Sequence, residues 1–157
     1  MENPTELLSN IDIEELCKMF KVNLVLCGFK EKLNNLRVIP GGYVINLDEI
    51  NSQGSHWVSF YINNKQCLYF DSFGEEPPLE VINFCKKGNI KLMSNYFKIQ
   101  DILDTSCGWY CISFLHWMNK YKNVNQYILN MFNKQFDTEN TKNNKSILQK
   151  YIKSIIL

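Results

Sequence analysis

The sequence predicts an α+β fold, a small, mostly antiparallel sheet flanked by helices, and three observations lead there. β-Branched and aromatic runs alternate with turn residues between positions 40 and 71. A dense apolar stripe at helical spacing runs from 106 to 121, and two further helical stripes follow it. At 157 residues and 45% hydrophobic side chains the chain can bury a core without metal or disulfide staples, and 1–157 reads as one domain.

Taken in order, residues 5–20 (TELLSNIDIEELCKMF) carry Leu7, Leu8, Ile11, Ile13, Leu16, Met19 and Phe20 at mostly helical spacing, which predicts an opening helix. Pro40-Gly41-Gly42 is a turn signal, and Tyr43 to Leu47 is a strand. His56 to Asp71 reads as a hairpin: HWVSFYI, a turn at Asn63-Asn64, then KQCLYFD. That turn makes residue 62 face 65, which places His56 directly opposite Asp71 and Trp57 opposite Phe70 on the other face. Pro77-Pro78 then punctuates the chain before a short helix, LEVINFCKK, and a strand-like stretch from Ile90 to Ile99. Residues 106–121 (SCGWYCISFLHWMNKY) form the strongest helix, with Ser106 as its N-cap and Cys107, Cys111, Phe114, Leu115 and Met118 on one stripe. Helices near 124–136 and 145–156 complete the chain.

Composition narrows the function classes. The net charge is +1, so no global basic field points to nucleic acid. No apolar run reaches the roughly 18 residues of a membrane span, and the N-terminus carries no secretion signal. The six cysteines (17, 27, 67, 85, 107 and 111) sit inside apolar stretches, which predicts reduced, buried thiols rather than a disulfide framework. There is no Cys-x-x-Cys pair, and Cys107-x-x-x-Cys111 lacks a second pair at ligand spacing, so no metal is expected.

The chemistry gathers at Cys107. A cysteine in the first turn of a helix meets the positive end of the helix dipole, and a nearby imidazolium favours the thiolate further. The hairpin supplies that imidazole, His56, already paired with the carboxylate of Asp71. The Cys107 N–H is a donor for developing negative charge, Gln100 offers a second from its side-chain amide, and Gly108 leaves room for substrate backbone beside the sulfur. Trp57 packs beside His56 and is counted with Gly108 on the substrate side. His116 lies nine positions after Cys107, more than two helical turns away, and Cys111 falls on the buried stripe, so both read as structural. Asp101 and Asp104 read as loop residues.

The stretches Gly54-Ser-His-Trp57, Tyr69-Phe-Asp-Ser-Phe-Gly74, Gln100, Ser106-Cys-Gly-Trp-Tyr-Cys111 and Phe114-Leu-His116 resemble the adenain family of adenovirus maturation proteases. They are similar, more distantly, to the proteases that process SUMO and other ubiquitin-like proteins. The likeness covers roughly residues 40–120 and keeps the order His, acid, Gln, Cys; the one departure is Asp71 where adenain carries glutamate. It implies the adenain-like fold, with the nucleophile at the N-terminus of a central helix. It also implies His56 as general base, Asp71 as its orienting acid, Cys107 as nucleophile and Gln100 as oxyanion donor. The implied activity is cleavage after glycine in Gly-x-Gly or Gly-Gly sites of viral or virophage capsid precursors, by a monomer in the virion and in the infected-cell cytoplasm or viral factory. No cofactor is implied for the chemistry itself; a peptide or DNA activator is, with Lys86, Lys87 and Lys91 as the nucleic-acid candidates. The alternatives are a deconjugase of ubiquitin-like proteins and a non-catalytic module that binds Gly-Gly tails.

Overall fold

The computed structural model describes residues 7–48 and 56–156. In chain order these form α1 (Asn10–Met19), β1 (Leu24–Phe29), a 3-10 segment (Lys30–Asn35), β2 (Gly41–Asn46), β3 (Trp57–Asn63) and β4 (Gln66–Phe70). They continue with α2 (Leu79–Lys87), β5 (Lys91–Ser94), α3 (Cys107–Tyr121), α4 (Gln126–Asn133), a 3-10 turn (Thr141–Asn143) and α5 (Asn144–Ile156).

The expected opening helix begins at Asn10, because Ser9 accepts from the Asp12 N–H while the Asp12 carboxylate accepts from the Ser9 N–H. Such a reciprocal cap stops the helix from extending backwards. Leu8, one residue before the cap, is buried in the same cluster as Ile13, the arrangement of a hydrophobic staple. Residues 5 and 6 lie outside the described residues.

The five strands form one sheet in the order β1-β2-β3-β4-β5, antiparallel at its centre (β2-β3-β4) and parallel at both edges. This is an α+β architecture with a mixed sheet. The glycines expected to turn the chain instead open β2. Gly41 has φ +135°, and a Cβ there would stand 2.7 Å from Val25 Cγ2, so β1 could not approach this strand past a side chain. The hairpin forms one step later than expected: Asn63 pairs with Gln66, and Asn64 and Lys65 make the turn, both at positive φ (50° and 62°). Ser59, not Trp57, therefore stands opposite Phe70. A displacement of two residues preserves which side chains share a face.

Each face of the sheet carries its own core. Val44, Trp57, Tyr61, Leu68 and Phe70 meet α1, α3, α4 and α5, whereas Tyr43, Ile45, Val58, Phe60 and Tyr69 meet α2 and the first 3-10 segment. In α3 every residue from Cys107 to Leu115 is buried, so the helix is a central rod rather than the one-sided stripe expected. The α2 boundaries match expectation, and of the stretch from 90 to 99 only Lys91–Ser94 is strand. All six cysteines are free and buried. No helix among the described residues is long and apolar enough to cross a membrane.

Candidate active site

Three elements converge at one end of the sheet. His56 immediately precedes β3, Asp71 immediately follows β4, and Cys107 is the first residue of α3. Continued beyond its last pair, Ser59 with Phe70, the observed register would set His56 opposite Phe73, and the two rings indeed lie 4.7 Å apart. Asp71 is then the diagonal neighbour of His56 on the same face, within reach of an imidazole. The His56 Nε2 to Asp71 Oδ1 distance is 2.7 Å, and Asp71 Oδ1 also accepts from the Phe73 N–H at 2.9 Å.

Asp71 is fully buried and Cys107 is 2% exposed. Burial alone would push the His56 pKa down. Hydrogen bonds and charge from Asp71 and Cys107 outweigh that cost, and the pKa is pushed up to about 9. The ring is thus bonded to the carboxylate and acted on by the thiol.

Gln100 is held at both ends of its amide. Ser72 Oγ donates to Oε1 at 2.5 Å and Nε2 donates to the Asp104 carbonyl at 2.5 Å, while the Ser72 carbonyl accepts from both the Ile99 and Gln100 N–H groups. An amide nitrogen carries two hydrogens, so one remains for a ligand. From the other side Asn144, the first residue of α5, donates to the Ile99 carbonyl at 2.8 Å, and Thr141 bonds Asp101. The start of the C-terminal helix and the turn before it thereby clasp the loop that carries Gln100.

Ser106 occupies the cap position of α3, but its side chain does not cap the helix. Its hydroxyl and its N–H both bond Asp104 Oδ1, at 2.6 and 3.0 Å, so Asp104 anchors the approach to Cys107 rather than serving as a plain loop residue. The two substrate-side residues are placed next to the segment that precedes α1. A Cβ at Gly108 would stand 3.2 Å from Leu8 Cβ and Cδ1. The Trp57 indole donates to the Leu8 carbonyl at 2.9 Å. Both residues are covered by the segment before α1, and beside Trp57 that segment borders a groove of about 450 Å³ lined also by Leu7, Ser9, Gly28 and Lys32. Gly54 and Ser55 of the His56 motif lie outside the described residues.

Cys111 is buried in the core, and His116, half-buried, is bonded to the Tyr151 hydroxyl at 2.9 Å. Lys87 donates to the Leu36 carbonyl and stacks 5.2 Å from the Phe84 ring. Among the described residues no three or more His, Cys, Asp or Glu side chains cluster as a metal site would. The sequence reading missed Ser72, although it adjoins Asp71, and missed Leu8, whose role depends on a contact no local pattern reveals.

No family model matches the sequence, and no curated protein matches it either. Solved structures do. Two structures of the ASFV pS273R protease superpose with TM-scores of 0.60 and 0.59 at 16% identity, covering 95% and 92% of this chain and 67% and 68% of theirs. The chain has the fold of that protease. ChlaDub1 from Chlamydia trachomatis aligns over 98% of this chain and 78% of its own, at 16% identity and a TM-score of 0.49.

Proposed function

We propose that the chain is a cysteine protease, and the observation that carries this reading is one imidazole bonded to a buried carboxylate and raised in pKa by that carboxylate and by the thiol that opens the central helix. With Nε2 taken by Asp71, Nδ1 is the ring nitrogen that serves Cys107. His56 accepts the thiol proton as Sγ attacks the peptide carbonyl carbon. Gln100 Nε2 and the Cys107 N–H hold the resulting oxyanion. Collapse expels the amine, which takes its proton from His56, and leaves a thioester. Water, deprotonated by His56, then attacks the thioester, releasing the acid and returning the proton to sulfur. Asp71 keeps the ring oriented throughout and stabilises its charged form.

The shared fold with a viral protease supports this reading, and so does the resemblance of the motifs around His56, Asp71 and Cys107 to the adenain family. On that resemblance the substrate is a capsid precursor cleaved after glycine. The test needs no substrate: a limiting dose of iodoacetamide at about pH 6, mapped over the six cysteines in wild type and His56→Ala. An ordinary thiol, pKa about 8.5, is protonated there. Cys107 should label first and lose that advantage in His56→Ala; labelling without a Cys107 preference would return the chain to a non-catalytic Gly-Gly-binding module.

A further inference from the structure

We propose that Asn95 is a positioning residue for the His56–Asp71 pair, its buried side-chain amide clamping the backbone of Asp71 from both sides; the catalytic meaning of this clamp rests on the protease reading above. The parallel ladder between β4 and β5 ends with Tyr69 beside Ser94, and the last backbone bond runs from the Asn95 N–H to the Tyr69 carbonyl. Beyond it the chain leaves the sheet, although Asp71, fully buried, still has a peptide N–H and carbonyl to satisfy. The side chain of Asn95, 2% exposed, takes over from the strand. Its Oδ1 accepts from the Asp71 N–H at 2.9 Å, and its Nδ2 donates to the Asp71 carbonyl at 2.7 Å and to the Phe97 carbonyl at 3.3 Å.

Only one orientation of the amide satisfies an N–H and two carbonyls together, so these bonds fix which end is oxygen. A planar group held at two points sets both the position and the rotation of the Asp71 peptide, and with them the direction of its side chain. The turn that follows is fastened to the same anchor. The Gly74 N–H bonds the Asp71 carbonyl at 2.8 Å, and Gly74, at φ +71°, lies so close to residues 97 and 98 that a Cβ would meet the Phe97 carbonyl carbon at 2.8 Å. Asn95 thus locks the short segment that presents the carboxylate to His56.

The test is an NMR titration of the two histidines, since the groups acting on His56, namely Asp71 and Cys107, differ from those acting on His116. In Asn95→Ala the His56 midpoint should fall from about 9 by roughly one pH unit or more. His116 should not move. Leu33→Ala, which opens the core on the far face of the sheet, should lower stability and leave the His56 midpoint in place. Should Asn95→Ala fail to fold, Asn95→Ser, whose hydroxyl cannot reach both peptide groups, is read the same way. An unmoved His56 midpoint in a folded variant, or an equal shift in Leu33→Ala, would overturn the proposal. Failure of the protease reading shows separately, as absent Cys107 selectivity in wild type.

Discussion

His56 and His116 are the two histidines of the chain, both partly buried, and their surroundings drive them in opposite directions. Burial disfavours the charged ring in both. At the rim of the sheet His56 meets a carboxylate and a thiol, which reverse that cost and raise its pKa to about 9. In the seam between α3 and α5, burial and the ammonium of Lys120 push His116 below its ordinary value, and its Nδ1 meets the Tyr151 hydroxyl. What separates a reactive imidazole from a structural one here is the company each keeps, more than its depth. The hairpin and the start of α3 supply that company at the rim alone.

The largest break in this comparison comes from deleting each ring. His56→Ala removes the base, and peptide turnover should fall by about 10²- to 10⁴-fold, the usual weight of a general acid–base group. His116→Ala should leave the rate of Cys107 labelling at pH 6 unchanged. Equal losses in the two variants would mean that the fold, not the imidazole beside Cys107, governs reactivity.

Oxyanion support can be separated from proton transfer. Gln100→Leu removes one donor and should lower turnover of a Gly-Gly peptide by about 10²- to 10³-fold. Alkylation by iodoacetamide displaces iodide at carbon and forms no oxyanion, so its rate at Cys107 should not change. Ser72→Ala frees the Gln100 Oε1 that it now holds and should follow the same pattern with a smaller loss. A parallel loss of alkylation would place Gln100 in the maintenance of the thiol rather than of the oxyanion.

Stability against pH should carry both histidines at once. The folded pKa of His56 lies above its unfolded value, so its contribution is complete below about pH 6.5 and is lost as pH rises through about 9. At about 1.4 kcal/mol per pH unit, that contribution is on the order of 3 kcal/mol at most. His116 has the opposite sign: its folded pKa is lowered, so stability holds above about pH 6.5 and falls below it, where the unfolded chain takes up a proton the folded one resists. Between about pH 5 and 9, Tm should therefore peak near 6.5. His56→Ala should flatten the alkaline side only, and a persisting alkaline decline would assign it to another group.

Much of this site was legible in the sequence because it is built from local patterns. Alternation over HWVSFYI and KQCLYFD gave the hairpin and the shared face of His56 and Asp71. The turn lies one residue later than expected, which moves the cross-strand pairing by two, and face identity survives because the side-chain period of a strand is two. The helix beginning at Cys107 was equally plain. Strand β1 was not read at all, and β5 was read too long, because both pair in parallel with strands reached only by crossover and leave no hairpin signal. Leu8 and Asn95 were invisible for a related reason. Leu8 covers Gly108 from far away in the sequence, and Asn95 looks like an ordinary polar residue until the strand beside it ends.

The smallest expected effect tests the quieter histidine. Burial raises the Tyr151 pKa, so a protonated phenol shares a hydrogen bond with Nδ1 of a His116 that is neutral near pH 7. Tyr151→Phe deletes the hydroxyl and retains the ring, which still packs against Trp117 and Phe132 at centroid separations of 6.4 Å. Loss of a single hydrogen bond of this kind should cost about 1 kcal/mol, read as a shift of the denaturant midpoint with unchanged slope. Cys107 labelling should not respond, because the seam lies beyond the second turn of α3. A change in labelling would show that α5, which already bonds the Ile99 carbonyl through Asn144, transmits its packing to the loop that carries Gln100.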